Sequence, residues 1–283
     1  MSVDVAIASS AELGEGPRWD AATGRLLWVD IEGRELHISD PATGDDRAIA
    51  LDNRVGAVAP MTDGRVLVAL ADRLAALDLE DESLETLVPF PHGPDLRVND
   101  GACDPDGRFW IGSLELEFAP DAGSLYRYDG ELVEVLAGVT LSNGLGWSPD
   151  GTRMYYVDSL TYRIDAFDFD RLPRNRRPFV RIDRNDGIPD GLAVDDEGGV
   201  WIALWGGACV RRYDAEGRLD EVLEVPAKRV TACCFGGADG RKLFVTSAAP
   251  DGRVFVADVG VSGPPAQPFR STAPSDAEPT SSL

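Results

Sequence analysis

Six times along the chain a glycine-bearing turn is followed at once by a short run of β-forming residues: TGRLLWVDI, DGRVLVALA, DGRFWIGSL, DGTRMYYVDS, EGGVWIALW and DGRKLFVTS. The turn glycines are Gly24, Gly64, Gly107, Gly151, Gly198 and Gly240, so successive units lie 40, 43, 44, 47 and 42 residues apart. That period is the length of a four-stranded propeller blade and is too long for a leucine-rich repeat. Each unit also divides into strands. In the first, PRWD enters the turn, LLWVDI follows, ELHISD precedes a second turn at DPATG, and DRAIAL completes the unit. Units four and five repeat the plan, with MYYVDS then IDAFDF, and VWIALW then CVRRYD. Gly or Pro breaks nearly every window long enough for a helix, which leaves short strands joined by Asp-Gly and Pro-containing turns.

The expectation is an all-β chain: a six-bladed β-propeller of four-stranded antiparallel blades, occupying residues 1–270 as one domain. Such a ring must close, because an open one would leave unpaired strand edges. VDVAIA at residues 3–8 alternates apolar and polar side chains and is placed to pair with the last unit around Arg253 to Val259. The tail, residues 271–283, is rich in Ser, Pro and Ala and is expected to be disordered.

Composition narrows the partners. The net charge of −22 is spread along the sequence rather than gathered in a tail, so it describes the whole surface and disfavours nucleic acid and anionic membranes. Divalent cations are favoured by the same field, and the expected assembly is a monomer or a small homo-oligomer. Cys103, Cys209, Cys233 and Cys234 form no CxxC pair and are read as buried thiols in a reducing compartment. The first residues carry no basic segment leading into an apolar one, and no apolar run approaches membrane-spanning length, so a cytoplasmic location is expected.

In a propeller the innermost strand of each blade lines the central channel, so residues at one phase of the repeat converge on a ring. Asn99, Asn143 and Asp190 each lie eight residues before Gly107, Gly151 and Gly198, and Glu15 lies nine before Gly24. In the other two units the matching residues are Gly56 and Ala232, which cannot coordinate anything. Asn, Asp and Gly are common in turns for local reasons, but turn chemistry does not account for a shared phase in four separate repeats. Two carboxylates and two amides, offering oxygen only, suit a hard cation such as Ca²⁺, Mg²⁺ or Mn²⁺; Zn²⁺ is less favoured by these ligands. Arg97, two residues before Asn99, should share its face on an extended strand, whereas Asp100 should face away. Glu117 sits in the loop LELEFAPDAG, longer than its counterparts and able to fold over the channel mouth. Both histidines, His37 in an outer strand and His92 in a Pro-rich loop, read as structural or exposed, and no GxSxG elbow or phosphate loop is present.

GEGPRWD with WVDI, RVNDGACDPDGRFWIG, LSNGLGWSPDG with YYVDS, IPDGLAVDDEGGVWIA and TACCFGG together resemble the SMP-30/gluconolactonase/regucalcin family over nearly the whole chain. The resemblance implies a six-bladed propeller holding one divalent metal and hydrolysing sugar lactones. By the same resemblance the metal ligands fall on Glu15, Asn143 and Asp190, with Asn99 a fourth ligand or a substrate contact. Sugar binding falls on Arg97, Asn99 and Glu117, and the general acid/base on Asp190. The pattern departs from the family near its end, at APDGRVFVADV and the segment after it. Two other readings remain: a non-catalytic calcium-binding protein of regucalcin type, and an organophosphate or aryl-ester hydrolase of the same fold.

Overall fold

The computed structural model describes residues 2–271, and the segment from residue 272, where most of the expected disordered tail falls, lies outside it. Six four-stranded antiparallel sheets form a six-bladed β-propeller. Blade 1 begins with the inner strand Gly14–Asp20, blade 2 with Val55–Pro60, blade 3 with Leu96–Cys103, blade 4 with Ser142–Trp147, blade 5 with Ile188–Val194 and blade 6 with Val230–Gly236. Each inner strand touches those of the two neighbouring blades, so the six form a closed ring around a channel. Among the described residues the one helical element is a single 3-10 turn, Ser159–Thr161.

Closure uses both ends of the chain. Strand Asp4–Ile7 pairs antiparallel with Val254–Asp258 and becomes the outermost strand of blade 6, so the edge that the last blade would leave open is covered. A second device lies beyond Val259. The segment of residues 261–270 runs beneath the channel and is bonded to five blades in turn. Ser262 accepts from Asp196 N–H at 2.9 Å, and Gly263 N–H donates to Gly240 O at 3.0 Å. Ala266 N–H donates to Trp19 O at 3.1 Å, Phe269 N–H to Pro60 O at 2.7 Å, and Arg270 N–H to Gly107 O at 2.9 Å.

Apolar side chains pack in six clusters, one between each adjacent pair of blades. Within blades 3 and 5 a buried aspartate clasps the hairpin turn. Asp104 accepts from Arg108 Nε at 2.7 Å and Trp110 Nε1 at 2.8 Å, and Asp195 accepts from Trp201 Nε1 at 2.9 Å and Arg212 Nε at 2.7 Å. Trp110 and Trp201 are fully buried core residues with their indole N–H satisfied in this way, and Trp28 of blade 1, equally buried, donates instead to Ser39 Oγ at 2.8 Å. Trp147, four residues past Asn143, also belongs to the core, its ring 6.2 Å from that of Trp110 and 5.8 Å from that of Phe169. His37 stacks on Trp28 with ring centroids 3.8 Å apart, and His92 packs on Phe90 away from the channel-lining strands. All four cysteines are buried and unbonded.

Candidate functional site

Every inner strand carries an irregularity at the same height. The register slips between Glu15 and Arg18, Val55 and Ala57, Val98 and Gly101, Ser142 and Leu145, Pro189 and Leu192, and Val230 and Cys233. A β-bulge frees residues from the ladder and re-aims their side chains. Glu15 therefore sits at the edge of the blade 1 bulge, while Asn99, Asn143 and Asp190 occupy the bulges of blades 3, 4 and 5. All four are buried, at 5%, 5%, 4% and 7% exposure respectively, although each is polar. Gly56 and Ala232 occupy the corresponding places in blades 2 and 6. A Cβ on Gly56 would lie 2.4 Å from Asn99 O, so its lack of a side chain is what lets the blade 3 bulge come inward.

Two further aspartates place the strands that carry the site. Asp30 accepts from the backbone N–H groups of Glu12 and Leu13 at 2.8 and 3.0 Å, and Asp158 accepts from those of Thr140 and Leu141 at 3.2 and 3.0 Å. Each clamps the linker just ahead of Glu15 or Asn143. Their signal was present in the repeats, because WVDI and YYVDS end the second strand of blades 1 and 4 on the same residue.

The amides are oriented by their neighbours. Asn143 Nδ2 donates to Ser159 Oγ at 3.0 Å, which turns its Oδ1 toward Asn99. Asn99 Nδ2 donates to Asn143 Oδ1 at 3.2 Å and to Ser142 O at 2.8 Å, and its own Oδ1 accepts from Arg97 Nη1 at 2.7 Å. Arg97 thus shares the face of Asn99. Glu117 stands apart. It is exposed, on a loop that follows strand Phe109–Glu115 at the end of blade 3 where the inner strand begins, and its N–H donates to the Glu115 carboxylate at 2.9 Å.

The expected outward direction of Asp100 is wrong. It is 4% exposed and accepts from Arg18 Nη2 at 2.9 Å and Gly101 N–H at 2.8 Å. The bulge breaks the alternation on which that expectation depended, so consecutive residues 99 and 100 both turn into the protein interior. Arg18, which the sequence reading passed over, completes this pair from blade 1.

Electrostatics follow from burial. Desolvation pushes the Glu15 carboxyl well up from the usual range, and the Asp100 charge pushes it further. Desolvation likewise raises Asp190 well above an ordinary aspartate, with Glu15 and Asp100 adding to the rise; Arg97 and the Asn143 amide oppose it without cancelling it. Ionised together, the two carboxylates would repel each other in a buried place, while the Arg97 guanidinium is directed at Asn99 Oδ1 and Val98 O. Such a pair is short of positive charge. Among the described residues no three carboxylate, imidazole or thiolate groups gather closely enough to bind a metal by themselves, so any cation here would need amide oxygens as well. Asn143 Oδ1 accepts one bond from Asn99 Nδ2 and keeps a second lone pair for that purpose, and a carboxylate–amide oxygen set fits a hard divalent cation.

A six-bladed propeller with a buried, bulge-borne set of acids and amides at one end of its channel is a recognisable class. The chain belongs to the SMP-30/gluconolactonase/LRE-like family, whose model matches residues 13–249. It is 40% identical over 245 residues to the Bacillus subtilis (strain 168) protein named "Putative sugar lactone lactonase YvrE", covering 84% of each chain. It is 35% identical over 260 residues to regucalcin of Xenopus laevis, covering 88% of this chain and 87% of that one. Among solved structures, a calcium-binding protein, regucalcin, from Agrobacterium tumefaciens superposes with a TM-score of 0.92 at 32% identity, covering 95% of this chain and 97% of the other.

Proposed function

We propose that the chain is a metal-dependent lactonase that opens a sugar lactone to its aldonic acid. The observation that carries this reading is the pair of buried carboxylates, Glu15 and Asp190, whose burial raises both, set in the same ring of bulges as the Asn143 amide oxygen, which accepts from Asn99 Nδ2. Similarity to the Bacillus subtilis protein named as a putative lactonase supports the reaction, and similarity to the Agrobacterium tumefaciens calcium-binding protein supports Ca²⁺ ahead of Mg²⁺, Mn²⁺ or Zn²⁺.

Glu15, Asn143 and Asp190 would hold the cation, and Asn99, whose oxygen accepts from Arg97, would serve the substrate. When bound, a divalent cation supplies charge to polarise the lactone carbonyl and stabilise the oxyanion formed on it. Asp190 takes a proton from the attacking water as the acyl–oxygen bond to the new hydroxyl forms. It returns that proton to the ring oxygen as the lactone C–O bond breaks, so acid and base are one group. Arg97 donates to sugar hydroxyls from a buried position, and Asn99 Oδ1, which accepts one bond from Arg97, keeps a second lone pair for a hydroxyl beside it. Glu117, on the loop at the same end, accepts from a hydroxyl once substrate is in place. The buried, unbonded thiols support a reducing, cytoplasmic setting.

The test is hydrolysis of a panel of glucono-, xylono-, arabinono- and galactono-lactones by metal-stripped protein reloaded with each of the four cations. Turnover with at least one pair, lost in Asp190→Asn while the fold is kept, is the expected result. Inactivity across the whole panel, with tight and selective Ca²⁺ uptake, would instead establish the binding-protein reading that the regucalcin relatives favour.

A further inference from the structure

We propose that Arg18 and Asp100 form an oriented charge pair that strengthens cation binding at the channel site without coordinating the cation, Arg18 being a positioning residue. The inference rests on the cation-binding reading above and extends it to two residues outside the ligand set.

Arg18 leaves the inner strand of blade 1 three positions after Glu15, on the far side of the bulge. Its Nη1 donates to Pro17 O at 2.8 Å, and its Nη2 donates to Asp100 Oδ1 at 2.9 Å and to Gly101 O at 2.8 Å. The guanidinium thus reaches from the bulge of blade 1 to the bulge of blade 3, past blade 2, whose contribution at this height is Gly56. The two bulges it joins are the ones that carry Glu15 and Asn99. Both members of the pair are buried, with side chains 10% and 5% exposed.

The pair has a direction. Asp100 directly follows Asn99 in the blade 3 bulge, so its carboxylate starts from the stretch of strand that carries the site's amide. Arg18 also lines a cavity of about 270 Å³ at the opposite end of the channel, among Cys103, Leu145, Leu192 and Cys233 and above Gln267 of the C-terminal segment. Its Nε lacks a protein partner. The negative end therefore faces the ligand set and the positive end faces away. A buried ion pair is not an economical way to stabilise a fold, since an apolar pair of similar volume usually serves as well or better. An oriented pair beneath a cation site does something an apolar pair cannot: it adds attraction across a poorly screened interior.

The experiment is calorimetric titration of Ca²⁺ into the metal-stripped protein, with thermal unfolding to verify folding. Asp100→Asn keeps the shape, removes the negative end of the pair and leaves the guanidinium charged and uncompensated; Ca²⁺ affinity should fall at least about tenfold. Adding Arg18→Met to that variant removes the stranded cation, and affinity should recover only in part, staying at least about threefold below the native protein because the attraction of the pair is gone. A double variant that binds as tightly as the native protein, or no loss in Asp100→Asn, overturns the proposal and marks the pair as a packing brace. Should Asp100→Asn fail to fold, Arg18→Lys decides. It keeps the charge and breaks the fork to Pro17 and Gly101, so affinity within about threefold of native supports the charge reading and a tenfold loss overturns it. If the native protein binds none of Ca²⁺, Mg²⁺, Mn²⁺ or Zn²⁺, the cation reading itself is overturned, which is a different result from native affinity in the double variant.

Discussion

Glu15 and Asp190 are the residues in which burial and chemistry meet most directly. Desolvation holds both protonated well above the usual carboxylate range, with the Asp100 charge adding to the rise at Glu15 and the Glu15 and Asp100 charges adding to it at Asp190. In the unfolded chain they titrate near ordinary values of about 4. Their protonated forms therefore stabilise the metal-free fold below those values, and that contribution is lost as pH rises through the raised folded values. The metal-free protein should lose thermal stability between pH 5 and pH 8, and saturating Ca²⁺ should flatten or reverse the trend by favouring the ionised forms. Asp40, Asp46 and Asp150 are shifted the other way and titrate below that window, so they do not confuse it. Calorimetry at pH 7 in buffers of different ionisation enthalpy should also register protons released as Ca²⁺ binds. A flat stability profile with no proton release would contradict the pairing. At this scale the sequence revealed Glu15, Asn99, Asn143 and Asp190 because a repeat brings equal phases to equal heights. Asp100 and Arg18 were not legible: one depended on a local break in strand alternation, the other on a partner 82 residues away in sequence.

The bulge is the element that turns six similar strands into a site. Its recurrence in all six inner strands means the ring is built first and chemistry is then decided by which residues fill it: acids and amides in four blades, Gly56 and Ala232 in two. The small residues have a structural duty. A methyl group at Gly56 would meet Asn99 O at 2.4 Å and Val98 O at 2.7 Å, both backbone atoms that cannot swing aside. Gly56→Ala should cost about 1–3 kcal/mol, as overpacking generally does, and should weaken Ca²⁺ binding because the strain is relieved by displacing the strand that carries Asn99. Thermal unfolding and the same calorimetric titration check both effects. The turn glycines announced the blades plainly, since Asp-Gly followed by a β-rich run is a local signal. The bulges did not, because a slip in register is a relation between two strands and leaves no mark on either one alone.

The whole molecule is held shut twice, by strand Asp4–Ile7 in blade 6 and by the segment that crosses beneath the channel. Phe269 anchors that segment, 3% exposed and stacked 5.6 Å from the Tyr128 ring. Phe269→Ala should cost about 3–5 kcal/mol, the usual penalty for removing a buried aromatic ring, read as a lower unfolding midpoint in denaturant. A loss below 1 kcal/mol would show that the crossing segment lies passively on the blades. Strand number and the closing strand could be anticipated from periodicity, whereas the crossing segment, with three prolines and no repeat to compare it with, could not. Sharing one blade between both ends of the chain has a consequence for biosynthesis. The first strand to leave the ribosome has no partner until Val254–Asp258, nearly the last residues of the ring, have also emerged. Until then its neighbour-to-be does not exist, and the flanks of blades 1 and 5 that blade 6 will cover stay exposed. Completion of the circle is thus a post-synthetic event, and a chain cut short before residue 254 never reaches it.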